Sequence, residues 1–151
     1  MLEDYYLEHT VLCLSDGLLA QCGIDLDTHR GEIASGNLSS LRGCPFVLGS
    51  AEDIGGRIGR GLLRSSGVSP VSKATSENVE TLLALCEQGV GACFCPENLL
   101  HTALSPEQLA HLHILPLCPE ASYPICFGYL SRSYPWSVLS EFIRIAREQT
   151  A

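Results

Sequence analysis

Lysine is nearly absent from this chain of 151 residues. Lys73 is the one lysine, and eight arginines bring the basic total to 9 against 17 acidic residues, for a net charge of −8. The arginines are scattered and form no basic stripe. Because nucleic-acid binding needs Lys and Arg to displace counterions from phosphates, this composition excludes direct DNA binding. Any DNA contact would come from another segment.

Long hydrophobic runs are also missing. The longest, at residues 11–14 and 82–85, are far too short to span a bilayer. The N-terminus has neither a basic n-region nor an apolar h-region, so we expect no secretion signal and a cytoplasmic protein. With 46% hydrophobic and 17% charged residues, the composition is typical of a folded globular protein.

Cysteine, in contrast, is abundant. Most of the eight cysteines lie inside hydrophobic runs, where a free thiol behaves as a small hydrophobe. A secreted protein would use such a set for disulfides. In a long, apolar chain without a signal we predict reduced, buried thiols.

Short β-type runs alternate with helical patterns along the chain. We predict strands at residues 9–14, 46–48, 71–74, 91–95, 112–115 and 125–129. We predict helices at residues 53–66, 76–88, 97–102 and from about 135 onward, with a helical turn at 38–42. Four glycines interrupt the pattern in residues 15–37, so we predict no secondary structure there. Strands separated by such helices indicate an α/β fold with parallel β-α-β units.

The two central helices carry end signals. Ser50 and Asp53 resemble a capping box before the first helix, and Ser76 is the expected N-cap of the second. Gly67 and Gly89 are placed to end these helices.

Three predicted strand ends could form a ligand crevice. In open α/β sheets, ligands bind beyond the carboxyl ends of the strands, where helix N-termini offer free N–H groups to anions. Here these ends fall at residues 49–58, 75–78 and 95–97. Arg57 could pair with a carboxylate. The alternative is that Ser50 and Ser76 serve only as caps and that Arg57 is a solvated surface residue.

Several motifs resemble the effector-binding domain of LysR-type transcriptional regulators. The run LRGCPFVL at 41–48 looks like the strand that opens the second lobe of that family. GVSP at 67–70, Asn78 and LCEQGVGACFCP at 85–96 resemble the core of that lobe. The tail from Leu115 to Arg147 looks like the return strands and closing helix.

This resemblance implies a type 2 periplasmic-binding-protein-like fold with two lobes. We expect one complete lobe with parallel central strands, plus hinge strands and the C-terminal helix of an incomplete other lobe. Residues 1–15 would be a hinge strand and remnant of the first lobe, 16–112 the second lobe, and 113–151 the return strands and closing helix. The family's N-terminal winged helix-turn-helix, which binds DNA, is absent from this chain.

The resemblance and the strand ends together suggest an effector-binding set on the second lobe. It comprises Gly49, Ser50, Ile54, Gly55, Arg57, Thr75, Ser76, Asn78 and Cys95. The expected ligand is a small, anionic metabolite, with no cofactor. The apolar face of the last helix, with Trp136, Leu139, Phe142 and Ile143, would normally pack on the rest of the first lobe. We therefore expect a homo-oligomer.

Other functions fit the sequence less well. GGRIGRG at 55–61 matches no nucleotide-binding glycine motif. Cys93, Cys95 and His101, or the His111 and His113 pair, lack the further ligands of a zinc site. A cysteine hydrolase would use Cys95, but no histidine is paired with it in sequence. A solute-binding protein of a transport system stays the alternative, against which the missing signal and the cysteines argue.

Overall fold

The computed structural model describes residues 2–130 and 136–150, which form two compact units. The larger unit is His9–Ala121, and the smaller contains the described parts of Met1–Glu8 and Ser122–Ala151. The strands are β1 (Leu2–Ser15), β2 (Pro45–Leu48), β3 (Val71–Thr75), β4 (Cys93–Pro96), β5 (Leu112–Pro116) and β6 (Ser122–Gly128). The helices are α1 (Asp16–Cys22), α2 (Leu26–Ala34), α3 (Ile54–Ser65), α4 (Val79–Glu87), α5 (Glu97–Ala103), α6 (Pro106–Leu109) and α7 (Ser137–Thr150).

The strands combine parallel and antiparallel pairing. β2 pairs with β3 in parallel, and on its other side Phe46 forms a parallel bridge with Ala92, just before β4. β4 and β5 then flank β1, both antiparallel to it. β6 also pairs with β1. The predicted α/β class is confirmed, and the runs at Phe46, Val71 and Gly91 lie parallel as the crevice requires.

The stretch left unassigned at 15–37 folds into two short helices because each has its own local cap. The Ser15 hydroxyl accepts from the Leu18 N–H at 3.1 Å at the start of α1, and Asp25 caps α2. Gly23, at φ 65°, ends α1 in the left-handed region. The glycines that obscured the helical pattern therefore separate two helices. The turn predicted at 38–42 is a 3-10 turn at Ser39–Leu41.

The strands β2 and, within the larger unit, β1 bury both faces. On β2, Phe46 and Leu48 point into one hydrophobic cluster and Val47 into another. β1 alternates in the same way, with Leu12 on one side and Cys13 on the other. Alternation between two buried faces explains why these strands read as continuous apolar runs.

The cysteines follow the prediction in part. All eight are reduced thiols, and five are buried: Cys13, Cys44, Cys86, Cys93 and Cys95. Cys22, Cys118 and Cys126 are only partly buried.

Close packing explains two of the four glycines of α3. A Cβ on Gly56 would lie 2.2 Å from the Ser50 carbonyl oxygen, and one on Gly59 would lie 2.3 Å from the Phe94 ring. Both distances are shorter than real carbon contacts. Glycine is therefore required where the helix crosses the loop before it and the core aromatic below it.

The smaller unit combines the first half of β1, β6 and α7. Arg147 Nη2 donates to Glu3 Oε1 at 2.7 Å, and Tyr129 Oη donates to Glu3 Oε2 at 3.4 Å. Ile143 is the one buried hydrophobic residue among its described residues. The last helix begins at Ser137, and Pro135, where we predicted its start, lies outside the described residues. In the described part of the chain, no helix has the length and hydropathy to cross a membrane.

Candidate functional site

Two of the three predicted strand ends lie side by side. Leu48, the last residue of β2, is in register with Thr75, the last residue of β3. The Ser76 N–H donates to the Leu48 carbonyl oxygen at 3.2 Å, which extends this pairing one residue past β3. Gly49 and Ser50 therefore leave the sheet next to Thr75 and Ser76.

The third strand end contributes a buried thiol. Cys95 is fully buried, pairs in register with Val11, and its Sγ lies 3.5 Å from the Cys13 Sγ. This burial arises because the Cys95 side chain packs in a core cluster with Leu83 and Leu100. Cys95 is thus not brought to the surface with the other residues, either as a ligand contact or as a nucleophile.

The cap of α3 differs from the prediction. Asp53, not Ser50, is the N-cap, and its Oδ2 accepts from the Gly56 N–H at 3.2 Å. Ser50 instead begins the preceding turn, where its carbonyl oxygen and its hydroxyl both accept from the Asp53 N–H, at 3.2 and 3.3 Å. The capping-box prediction was wrong because the Ser50-x-x-Asp53 pattern forms a separate turn before the helix.

The cap of α4 differs from the prediction as well, and lies two residues later. Asn78 is the N-cap, and its Oδ1 accepts from the Thr81 N–H at 3.2 Å. The Ser76 hydroxyl accepts from the Asn78 N–H at 3.0 Å. The acceptor groups of Ser76 and Asn78 are thus engaged locally, whereas the Ser76 hydroxyl proton remains able to donate.

Polar groups at this edge carry charges of both signs. Ile54 and Gly55 begin α3, so their N–H groups have no intrahelical acceptor. The Asp53 carboxylate places a negative charge in the same turn. Arg57 follows one helical turn later, is exposed, and forms no ion pair with another described residue. It is therefore the positive group that can offset Asp53.

Two residues that hold the loop at this edge in place were not identified from the sequence. Asp53 was assigned only as part of the capping box, although Asp directly before a helical pattern is itself a strong N-cap signal. Arg60 donates from Nη2 to the Gly49 carbonyl oxygen at 2.9 Å and thereby ties α3 to the end of β2. No sequence signal distinguishes Arg60 from the other arginines of this helix.

The remaining members of the predicted set differ in exposure. Thr75 and Asn78 are exposed, Ser50 and Ser76 are partly buried, and Ile54 keeps 39% of its surface exposed. Gly49 and Gly55 are buried, and as glycines they offer only backbone groups. The edge that we call the β2–β3 edge therefore consists of residues 49–57 and 75–78. Within the described residues, no group of three or more His, Cys, Asp or Glu side chains is arranged to hold a metal ion.

Solved structures share this fold. The regulatory domain of CcmR from Synechocystis PCC6803, in complex with 2-PG, matches at TM-score 0.71 and 11% identity, over 99% of this chain and 66% of that one. The effector binding domain of QuiR in complex with shikimate matches at 0.65 and 12%, over 99% and 64%. HinK, a LysR family transcriptional regulator from Pseudomonas aeruginosa, matches at 0.67 and 16%, over 99% and 48%.

These alignments indicate how much of each relative the chain represents. It spans about two thirds of the CcmR and QuiR domains and about half of HinK. At such low identity the likeness shows the fold, which is periplasmic-binding-protein-like as expected. No match was found among curated protein sequences.

The family model described as the LysR substrate binding domain matches residues 6–151. This match covers nearly the whole chain, including both strand ends of the β2–β3 edge. The chain therefore belongs to the LysR substrate-binding domain family.

Proposed function

We propose that this chain is the effector-sensing module of a LysR-type regulator and binds a small, anionic metabolite at the β2–β3 edge. The observation that supports it is the pairing of the two strand ends, in which Leu48 is in register with Thr75. This pairing brings two polar loops to one edge of a parallel sheet, the usual position for a ligand in such folds.

Each part of the edge has a defined role in this proposal. The N–H groups of Ile54 and Gly55 donate to a carboxylate at the positive end of α3. Arg57 supplies the cation that offsets the Asp53 carboxylate, and the other carboxylates of the edge, Glu52 and Glu77, are exposed to solvent. Thr75 and Ser76 donate hydroxyl hydrogen bonds from the neighbouring loop. The complexes of CcmR with 2-PG and of QuiR with shikimate support a small-molecule ligand at this kind of fold.

A thermal-shift screen of the purified chain tests the proposal. The probes are shikimate and a panel of other small carboxylates, each with its uncharged amide as comparison. A ligand present at 100 times its Kd stabilises the folded state by about 2.7 kcal/mol. For a chain of this size that corresponds to a Tm rise of roughly 5–10 °C. We expect at least one acid, and none of the amides, to produce such a rise.

A pair of arginine variants locates the site. Arg57→Ala should weaken binding of the active acid by at least about tenfold, since a charge-assisted hydrogen bond contributes roughly 1.5–3 kcal/mol. Arg64→Ala is the matched control, because Arg64 is an exposed arginine in the last turn of the same helix. Equal loss in both variants, or no stabilisation by any acid, would contradict the proposal.

The smaller unit supports a further proposal, that the module self-associates. Its described residues expose seven large apolar side chains: Leu2, Leu7, Leu130, Trp136, Val138, Phe142 and Ile145. Exposed apolar surface of this kind favours association, and we propose that a second copy of the chain covers it.

DNA contact would come from a winged helix-turn-helix segment in the full regulator, which works in the cytoplasm.

The same proposal describes binding without chemical conversion. The family is a regulatory effector-binding domain, and the thiol that a hydrolase would need, Cys95, is fully buried. We also propose that residues 16–112 act as the effector-facing lobe, with 1–15 and 113–151 serving as its connection to the rest of the regulator.

A further inference from the structure

Two pairs of thiols lie close together in the larger unit. The Cys13 and Cys95 sulfurs are 3.5 Å apart, and the Cys22 and Cys44 sulfurs are 3.8 Å apart. A disulfide bond is about 2.05 Å long. Either pair would therefore need to close by less than 2 Å, so distance alone does not distinguish them.

Access to solvent does distinguish the two pairs. Cys13 and Cys95 are fully buried in a core cluster, where an oxidant in solution cannot reach them. Cys22 is partly exposed at the C-terminal end of α1, next to Gly23. Its partner Cys44 is buried and lies in the loop just before β2. Only the second pair thus combines a reachable sulfur with a close buried one.

The chemistry also assigns an order to the two sulfurs. Burial, and next the charge of the neighbouring Cys22, raise the pKa of the Cys44 thiol to about 12. Since the thiolate is the nucleophile, Cys44 is not the sulfur that meets an oxidant first. The partly exposed Cys22 is therefore the attacking group.

The backbone around this pair leaves room for closure. Cys22 is the last residue of a helix of 7 residues, and Cys44 lies between Gly43, at φ 81°, and the first residue of β2. Neither sulfur is carried by the middle of a strand. Cys13 and Cys95, in contrast, both lie within the paired strands β1 and β4.

We propose that Cys22 and Cys44 are a redox-sensitive pair that forms a disulfide when the protein meets a hydroperoxide. The Cys22 thiolate attacks the outer peroxide oxygen, the O–O bond breaks, and the released alkoxide or hydroxide takes up a proton. Cys22 becomes a sulfenic acid. The Cys44 sulfur then attacks the Cys22 sulfur, its proton leaves with the sulfenic hydroxyl as water, and the S–S bond forms.

Such a bond would act on the segment that leads to the β2–β3 edge. It would tie the end of α1 to the residue before β2 and close the loop of residues 23–43, which contains α2 and the 3-10 turn at Ser39–Leu41. The inference stands independently of the proposed effector, because it depends only on the sulfur positions and on the exposure of Cys22.

Peptide mapping of the folded chain tests this pairing. The protein is treated with a small molar excess of hydrogen peroxide, alkylated in denaturant, digested without reductant and analysed by mass spectrometry. We expect the number of alkylatable thiols to fall from eight to six. The linked peptides should contain Cys22 and Cys44, and dithiothreitol should restore eight thiols. A Cys13–Cys95 link, or intermolecular links alone, would overturn the proposal.

Two variants separate this pair from general thiol oxidation. Cys22→Ser should abolish the peroxide-dependent loss of two thiols. Cys126→Ser, which removes another partly buried cysteine whose thiol donates to Asp4 Oδ1, should leave it unchanged. A sulfenic-acid reagent such as dimedone should label Cys22 in Cys44→Ser. Persistence of the thiol loss in Cys22→Ser would reject the assignment even if Cys44→Ser fails to fold.

Discussion

The two compact units differ in how far they bury their apolar side chains. The larger unit, His9–Ala121, holds two buried clusters that cover both faces of β2. In the smaller unit, Ile143 is the one buried hydrophobic among the described residues, and seven large apolar side chains are exposed. The larger unit has a core of its own. The smaller unit, with its strands and one helix, presents apolar surface that would be stabilised by further protein.

This difference indicates where folding stability resides. A strand pair gains independent stability only when more strands or a well-packed helix cover its apolar face. The larger unit meets that condition from its own residues. Substitutions there should change the free energy of unfolding strongly, and substitutions in the smaller unit should act mainly on association.

The largest expected effect comes from a phenylalanine in the larger unit. Phe46 is fully buried in β2 and stacks on Phe94 with ring centroids 5.9 Å apart. Phe46→Ala should lower the free energy of unfolding by about 3–5 kcal/mol, since it removes buried apolar area and leaves a cavity. Urea denaturation followed by circular dichroism measures this loss.

A phenylalanine in the smaller unit is the matched control. Phe142 is 55% exposed and meets Phe127 edge to face at 5.3 Å. Phe142→Ala should cost about 1 kcal/mol or less. A larger loss for Phe142→Ala than for Phe46→Ala would reverse the comparison between the two units.

A smaller effect is expected from two glycines on α3. A Cβ at Gly59 would collide with the Phe94 ring, which is held in the core by its stacking on Phe46. Gly59→Ala should therefore destabilise the larger unit by about 1–3 kcal/mol through overpacking. Urea midpoints of the variant and the parent chain give the difference.

A substitution at Gly61 on the same helix should change folding stability in the opposite direction. It is exposed, and a Cβ there meets nothing within 4 Å. Gly61→Ala should stabilise the chain by about 0.5–1 kcal/mol, because alanine has the higher helix propensity. If both variants shift stability in the same direction, close packing is not the reason for glycine at position 59.

The smallest expected effect on folding, with a clear effect on assembly, comes from the exposed face of the smaller unit. Replacing Val138 and Ile145 on α7 by serine should weaken self-association by at least about tenfold, if each burial contributes roughly 1.5 kcal/mol or more. Sedimentation equilibrium measures the monomer–dimer constant. Val71 and Val90 are exposed apolar residues of the larger unit. Replacing them by serine should leave the monomer–dimer constant unchanged.

Sequence patterns predicted much of the fold. The helix at 53–66 is α3 at Ile54–Ser65, and the strand at 46–48 is β2 at Pro45–Leu48. Both are local features, since helical periodicity and apolar runs depend on neighbouring residues alone. Helix starts were less accurate. Ser50 and Ser76 are cap-type residues, but Asp53 and Asn78 lie nearer to each helix and take the N-cap position.

The candidate site was predictable only to the level of its loops. Residues 49–57 and 75–78 follow parallel strands, so their proximity could be expected from the α/β pattern. The sequence could not show, however, that Cys95 lies outside the candidate site. Its strand pairs in parallel with β2 at Ala92 and antiparallel with β1 further on, and side chains distant in sequence bury the thiol in a core cluster.

Local chemistry along the chain thus defined the fold class, the turns at Gly67 and Gly89 and the family, because each depends on residues close together in sequence. Tertiary structure alone decided which thiols meet and which of them solvent can reach. Cys22 and Cys44 are 22 positions apart, and their sulfurs meet only after α1 packs beside the start of β2. Packing between distant segments, unlike helix or turn formation, leaves no periodic signature in the sequence.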